Sequence, residues 1–280
     1  MRISVILSTY NSPDWLENVL WGYSVQTWPP LEIVIADDGS TPETWRRIES
    51  LRGATGLPIR HVWHADQGFR KCAILNAAIR SAQGDYFIFS DGDCIPRRDF
   101  VEHHARLARP GRFLSGGLLR LPLELSHKIS SEDIRAGRAT DAAWLRINGL
   151  PGTFKLLKLA AGPRWGWLWD QLTPTRATWN GHNASGWKSD LIAVNGFDER
   201  MQYGGEDREL GERLIHTGIR PMQIRHRAVC VHLEHARGYV SDEAWARNLQ
   251  IWRDTLARRA TWTDFGLIQK NSAQGPAQAA

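Results

Sequence analysis

Apolar and polar positions switch between two periods along the first ninety residues. Residues 3–7 and 86–89 are short apolar runs rich in β-branched and aromatic side chains, and 32–36 and 59–64 match them in length, so all four read as strands. Between them the apolar positions take a helical spacing. Leu16, Val19, Leu20 and Tyr23 follow Ser12-Pro13, where serine suits an N-cap and proline the first helical position. Thr41-Pro42 repeats that signal before a helix to about Leu51, and Ile74, Ala77, Ala78 and Ser81 mark one side of a helix over 71–81. Strands alternating with helices predict an α/β fold with a doubly wound, mostly parallel sheet flanked by helices. Right-handed crossovers bring the strand C-termini to one edge. That edge would collect Ser8, Thr9, Tyr10 and Asn11, then Asp37-Asp38, the loop 67–70 and Asp91-Gly92-Asp93.

Residues 121–180 are less regular. A helical pattern over 131–145 carries Ile134, Ala142 and Leu145. Residues 154–159 are apolar with two lysines, and Pro163-Arg164-Trp165-Gly166-Trp167-Leu168-Trp169 follows. This stretch suits a cover packing its tryptophans on the sheet, a mobile lid, an acceptor platform, or an interfacial anchor. Further on, Ser189 is expected to cap a short helix ending near Asn195-Gly196, and Gly204-Gly205-Glu206-Asp207 opens a helix to about Thr217-Gly218. Short strands are expected at 223–224 and 228–231, the second delivering His232 and His235. Trp245, Leu249, Trp252 and Leu256 define the apolar side of a C-terminal helix within 241–270 that also carries Arg247, Arg253, Arg258 and Arg259. Residues 271–280 are expected to be a disordered tail.

Composition is that of a globular protein, 42% hydrophobic and 23% charged over 280 residues. Three widely spaced cysteines argue against a disulfide framework and suit a reducing cytosol. No run reads as a signal peptide or reaches transmembrane length. A net charge of +5 favours anionic partners such as nucleotides and phospholipid surfaces. Thirty acidic residues against 35 basic ones, with no RNA or DNA motif, argue against nucleic acid. The fourteen tryptophans suit a sugar-binding or membrane-facing protein, where an apolar ring also meets water. Neither a dinucleotide glycine fingerprint nor a P-loop occurs, so a bound nucleotide would be held by side chains and a metal. Asp91 and Asp93, one residue apart around a flexible glycine, can share one hard cation such as Mg²⁺ or Mn²⁺.

The ordered motifs resemble the family 2 glycosyltransferases, inverting nucleotide-sugar enzymes with a GT-A fold. The matches run through residues 5–11, Ile35-Ala36-Asp37-Asp38-Gly39-Ser40, Gln67-Gly68-Phe69-Arg70 with Asn76, and Phe89-Ser90-Asp91-Gly92-Asp93. A second set resembles the galactosyltransferase-type C-terminal segment of bacterial chondroitin and lipopolysaccharide enzymes: residues 180–185, Gly196-Phe197-Asp198-Glu199 and Tyr203-Gly204-Gly205-Glu206-Asp207. The resemblance implies a nucleotide-sugar half over 1–120 and an acceptor-binding, catalytic half over 121–240. It implies a UDP-sugar donor and a glycan or lipid-linked saccharide acceptor, in surface polysaccharide or lipopolysaccharide synthesis. The expected place is the cytoplasm, and residues 154–169 with the arginine-rich C-terminal helix suggest peripheral contact at an anionic inner membrane face.

Residue by residue, the resemblance puts Ser8 and Tyr10 against the base, with Asn11 in the same loop. Asp38 would accept from uracil or ribose, and Arg70 would contact the diphosphate. Asp91 and Asp93 would hold Mn²⁺ or Mg²⁺ beside the nucleotide, with His232 as third ligand and His235 as the other candidate. Asp207 matches the general base and Glu206 an acceptor contact, and the helix dipole should keep Asp207 or Glu206 ionised at neutral pH. Asn180, His182 and Trp187 would line the donor sugar or the acceptor. Arg208 departs from the pattern, since relatives often carry a third acid there. A sugar-phosphate nucleotidyltransferase would need a glycine-rich basic loop in place of residues 8–11. A non-catalytic nucleotide- or membrane-binding module is the alternative of a different class.

Overall fold

The computed structural model describes residues 1–160, 162–236 and 241–269; the tail expected at 271–280 lies outside them. Strands β1 (Ile3–Thr9), β2 (Glu32–Asp37), β3 (Ile59–Trp63) and β4 (Tyr86–Asp91) alternate with helices α1 (Pro13–Ser24), α2 (Pro42–Thr55) and α3 (Lys71–Ser81). The four strands pair in parallel in the order β3-β2-β1-β4. Side chains of β4 alternate between two buried layers, Tyr86 and Ile88 on the α1 side, Phe87 and Phe89 on the α3 side. Burial on both faces suits the apolar runs of β1, β2 and β4, whereas the edge strand β3 fully buries only Ile59.

After β4 come β5 (Cys94–Pro96), α4 (Phe100–Leu107), β6 (Arg112–Ser115) and β7 (Gly117–Arg120). Helices α5 (Leu123–Lys128), α6 (Ser131–Arg135), α7 (Ala142–Ile147), α8 (Leu157–Ala160) and α9 (Gly162–Leu172) lead to β8 (Ala184–Trp187) and α10 (Lys188–Ala193). The chain continues through α11 (Glu206–His216), β9 (Arg220–Gln223), β10 (Val229–His232) and α12 (Asp242–Arg258). The main sheet is β3-β2-β1-β4-β8-β6-β9, and a second has the order β5-β10-β7. Strand β8 is antiparallel to both its neighbours. It therefore enters the sheet at the edge where β1, β2 and β4 leave it, and residues 180–183 arrive beside Asp91. No helix among the described residues is long and apolar enough to cross a membrane.

Several local expectations are corrected. Ser12 and Thr41 hold the N-cap positions, yet neither side chain caps. The Asn11 amide oxygen instead accepts from the Thr41 N–H at 2.9 Å, with Asn11 in the left-handed region at φ 47°. The helix expected over 131–145 breaks at Gly137, whose φ is 83°, and restarts where the Asp141 carboxylate caps the Trp144 N–H. Ser189 lies inside α10, which begins after Trp187. The buried stripe of α12 is Ala244, Asn248 and Thr255, one residue earlier than the apolar stripe in the sequence. That offset turns the helix by about 100°. It is fixed by polar bonds: the Asn248 amide donates to the carbonyls of Gln202 and Gly204, and the Thr255 hydroxyl donates to Glu209.

Asn76, buried on α3, joins the first half of the chain to the second. Its amide donates to the Phe197 carbonyl at 2.9 Å and to Glu199 at 3.0 Å, and its oxygen accepts from the Phe197 N–H at 2.8 Å. Asn76→Ala should cost about 2–3 kcal/mol, because the Phe197 N–H is left buried without a partner. Urea denaturation is the measurement, and a loss below about 0.5 kcal/mol would show that the clamp is dispensable.

Candidate active site

The strand ends deliver the first group of side chains. Thr9 is paired with Asp37, and Ser8 with Asp91, across neighbouring strands. The Ser8 hydroxyl donates to Asp91 Oδ1 at 2.6 Å, and the Lys71 ammonium approaches the same oxygen at 2.8 Å. Burial alone would raise Asp91, but the Lys71 charge and these two hydrogen bonds outweigh it and hold the carboxyl down to about 2. Burial likewise works against the Lys71 charge, and Asp91, Asp207 and Glu206 overcome it and raise its pKa well above the ordinary value. Lys71 therefore stands as a fixed cation between two acidic groups. Sequence reasoning passed over it. The signal was available, since a lysine at the first position of a helix opposes the helix dipole and needs another reason to be there.

Asp93 faces two histidines. Its Oδ2 lies 2.9 Å from His235 Nε2 and 3.6 Å from His232 Nε2, and ligand atoms of the three residues all fall within 4.8 Å of one another. The Leu233 N–H donates to the Asp93 carbonyl at 2.9 Å, which pins the end of β10 to this loop. His235 Nδ1 lies 2.8 Å from the Ala236 carbonyl and must donate to it. In the neutral ring that leaves the Nε2 lone pair directed at the Asp93 carboxylate. Asp93, His232 and His235 would together offer a carboxylate and two imidazoles to a divalent cation. Burial lowers the pKa of His232, which keeps it neutral and available as a ligand, and its Nδ1 is buried without a hydrogen-bond partner. The expected choice between His232 and His235 thus becomes a pair, both at Asp93. Asp91, Asp93 and Cys94 form a second convergent group, in which burial raises the Cys94 thiol well above its usual range.

Across Lys71 lies the start of α11. The Glu206 carboxylate accepts from the Gly204 N–H at 2.9 Å. Asp207 is pressed against Gly181, where an added Cβ would fall 2.8 Å from Oδ2. Burial, with the Glu206 carboxylate adding to it, pushes Asp207 up to about 7, and burial also raises Glu206. At Asp207 desolvation outweighs the helix N-terminus that was expected to favour an ionised Asp207 or Glu206. Asp207 Oδ1 is buried with no hydrogen-bond partner. Asn180 and His182 do reach this place. The Asn180 amide donates to Ser115 at 3.0 Å, and burial lowers His182 to about 4, so it stays neutral near Asp91.

The nucleotide-side residues are mutually braced. Asp38 accepts from the Arg70 backbone N–H at 2.9 Å and sits 2.8 Å from His64 Nε2, another residue the motifs did not flag. Burial raises its pKa in spite of both. Tyr10 is half-exposed, and its hydroxyl donates to Asp66 at 3.0 Å. The exposed Arg70 guanidinium bonds the Gln67 side chain. Asn11 spends its side chain on the cap of α2. Trp187 is a correction: β8 runs backwards, so Trp187 pairs with Tyr86, at the far end of β4 from Asp91. Its indole stacks edge-on against Tyr86 and donates to the Arg109 carbonyl. Five residues of strand put it about 16 Å from the site.

Residues 4–119 match the family described as glycosyl transferase family 2, and residues 176–236 match the N-terminal domain of galactosyltransferase. The chain is 26% identical over 267 residues to the uncharacterized glycosyltransferase YfnE of Bacillus subtilis, covering 84% of this chain and 65% of YfnE. Among solved structures it resembles the mannosyltransferase PcManGT from Pyrobaculum calidifontis in complex with GDP-Man and Mn²⁺. The TM-score is 0.61 at 22% identity, over 92% of this chain and 64% of that one. It also resembles S. aureus TarS 1-349 in complex with UDP-GlcNAc, with TM-score 0.59 at 16% identity, over 90% and 65% of the two chains. At such identities the likeness speaks for the fold. The chain spans just under two thirds of the length of each of these three. Residues 4–119 thus resemble family 2 glycosyl transferases and residues 176–236 the N-terminal domain of galactosyltransferase, in that order, within a fold similar to that of two glycosyltransferase structures.

Proposed function

We propose that the chain is an inverting, divalent-cation-dependent glycosyltransferase. It moves a hexose or N-acetylhexosamine from a UDP-sugar to a hydroxyl of a glycan or lipid-linked saccharide, of the kind used in surface polysaccharide synthesis in the cytoplasm. The observation that carries this reading is the buried Asp207 carboxylate. One oxygen is unpartnered, the pKa lies near neutrality, and Lys71 separates it from the Asp91 and Asp93 edge. A UDP-GlcNAc complex of TarS and a Mn²⁺ complex of PcManGT, both similar in fold, support the donor and cation classes.

In the proposed reaction the acceptor hydroxyl loses its proton to Asp207 as its oxygen attacks the anomeric carbon. The bond from that carbon to the diphosphate breaks, UDP leaves with the electron pair, and the configuration inverts. A carboxylate titrating near 7 is well matched to this task at neutral pH. Glu206 shapes the same corner and would contact the acceptor, with Asn180 and His182 on the adjacent wall. Ser8, Tyr10, Asp38 and Arg70 would hold the nucleotide. Asp93, His232 and His235, with Asp91 beside them, would hold Mn²⁺ or Mg²⁺, whose charge offsets that of the departing diphosphate.

Asp207→Asn should lower transfer by about 10³-fold, within the range for loss of a general base, and leave UDP affinity within about threefold. Normal turnover would sink the assignment. The same substitution has a pH signature in the unliganded protein. The folded pKa of Asp207 lies above its unfolded value, so its contribution to stability is present below about 4 and lost as pH rises through about 7. The Asn variant should therefore gain at least about 1 kcal/mol relative to the parent at pH 8, measured by urea denaturation.

Lys71→Gln removes the cation that lowers the Asp207 pKa. The rate should rise with pH in the parent through about 7, and the variant's acid limb should move up by about one unit. An unmoved limb in an active variant would show that Lys71 does not tune the base.

Asp93→Ala and His235→Ala should each weaken Mn²⁺-stimulated UDP binding by roughly 10-fold or more, as read by calorimetry with and without EDTA. Binding that ignores both substitutions would remove the cation site from this loop.

A further inference from the structure

Helix α9 is packed with its apolar side outward. Its inner face is polar and small. The buried Asp170 carboxylate accepts from the His226 N–H at 2.9 Å and from Arg227 Nε at 2.6 Å, and it lies 3.1 Å from His226 Nδ1. One turn earlier, a Cβ on Gly166 would fall 2.9 Å from Arg227 Cγ and 3.0 Å from the His226 carbonyl, so the backbone itself lies against that turn. The opposite stripe, Trp165, Leu168 and Leu172, follows helical spacing toward solvent, while Trp169 flanks the inner face with its ring 6.4 Å from that of His226. Trp165 is 65% exposed and Leu172 62%, and Trp167 beside them is 56% exposed. A surface helix of a globular protein buries such a stripe and shows its charges. The same segment exposes Ile147 and Phe154, the latter 92%.

Charge singles out the occupant. Between Asp141 and Trp179 the sequence has five basic residues, Arg146, Lys155, Lys158, Arg164 and Arg176, and one acid, Asp170. That acid is buried and already paired, while Arg146 and Lys155 are exposed, as is Arg176 beside its partner Glu212. A stripe rich in tryptophan within a segment whose exposed charge is basic has the composition of a helix lying in the headgroup layer of an anionic membrane. A protein partner selected by charge would have to be acidic throughout, and it would have no need of three tryptophans on an eleven-residue helix.

We propose that α9 docks its outer stripe into the interface of an anionic lipid bilayer, with Asp170 fixing the roll of the helix. The anchoring turn at His226 and Arg227 runs directly into β10, which ends at His232. Docking would therefore hold the candidate active site at the membrane surface. The inference does not rest on sugar transfer, and its test uses no turnover.

The whole chain should float with phosphatidylcholine vesicles containing phosphatidylglycerol at low salt, and only weakly with phosphatidylcholine alone. Trp165→Ser, Trp167→Ser and Leu172→Ser combined should lower the vesicle partition coefficient roughly tenfold or more, since three exposed apolar side chains are lost. All three side chains are more than half exposed, so circular dichroism and the urea midpoint should stay unchanged. Absence of flotation at low salt overturns the proposal. So does flotation of the triple variant equal to that of the parent. A concentration-dependent dimer that the triple variant abolishes, without vesicle binding by the parent, would instead assign the stripe to a second copy of the chain and also overturns it.

Discussion

The ion pair of Lys71 with Asp91 is the contact on which the rest of the site depends. Lys71 is the first residue of α3, where the helix N-terminus disfavours a positive charge and the N-cap offers no side-chain hydrogen bond. The ammonium stays because Asp91 meets it at 2.8 Å and the Glu206 and Asp207 carboxylates lie within its field. Without it, three carboxylates would share a buried corner with no cation of the protein's own among them, a cost of several kcal/mol. The surrounding architecture is arranged to keep that one charge in place. Strand β4 delivers Asp91, the Asn76 clamp fixes α3 against residues 197–199, and the antiparallel entry of β8 brings Gly181 up to Asp207.

One cation gives two carboxylates opposite characters. Asp91 is in direct contact with Lys71 and with the Ser8 hydroxyl, and remains ionised down to about 2. Asp207 has no direct bond to the ammonium, sits beside Glu206 and is desolvated, so its value climbs to about 7. Two acids separated by about five units can take separate tasks at one pH, one as permanent negative charge and the other as an exchanger of protons. The structure achieves this by distance and burial alone, with the same amino acid in both roles.

Much of this was legible in the sequence where the pattern is periodic. The strand–helix alternation placed the first four strands, and the convergence of their C-terminal ends follows from handedness rather than from any single motif. Side-chain bonds were less legible. Ser12 and Thr41 mark helix starts correctly, but the cap of α2 comes from Asn11, thirty residues away in sequence. Trp187 lies near Asn180 and His182 along the chain but far from the Asp91 end of β4, opposite Tyr86. A strand running backwards separates its two ends, and its direction is not written in its composition. The roll of α12 was misread for a related reason. Asn248 and Thr255 are polar, and only the carbonyls of Gln202 and Gly204 and the Glu209 carboxylate make their burial favourable. Lys71 stayed hidden because a basic pair at a helix start reads as solvated until its partner on another strand is known.

The inverted packing of α9 raises the question of why a buried ion pair fixes it. Desolvating Asp170, His226 and Arg227 offsets most of what their attraction contributes, so the cluster is a weak source of stability. It is a strong source of orientation. An apolar contact at residue 170 would be compatible with several rolls of the helix, including one that turns Trp165, Leu168 and Leu172 toward the protein, where burial would favour them. A carboxylate that must meet a backbone N–H and a guanidinium on one turn admits a single roll. Gly166 enforces the same choice from the steric side, because any larger residue would lift the helix off that turn. The sequence thus sets an unfavourable exposure of apolar surface against a polar lock that prevents its relief. Such an arrangement makes physical sense when the exposed stripe is buried by something other than the protein's own core.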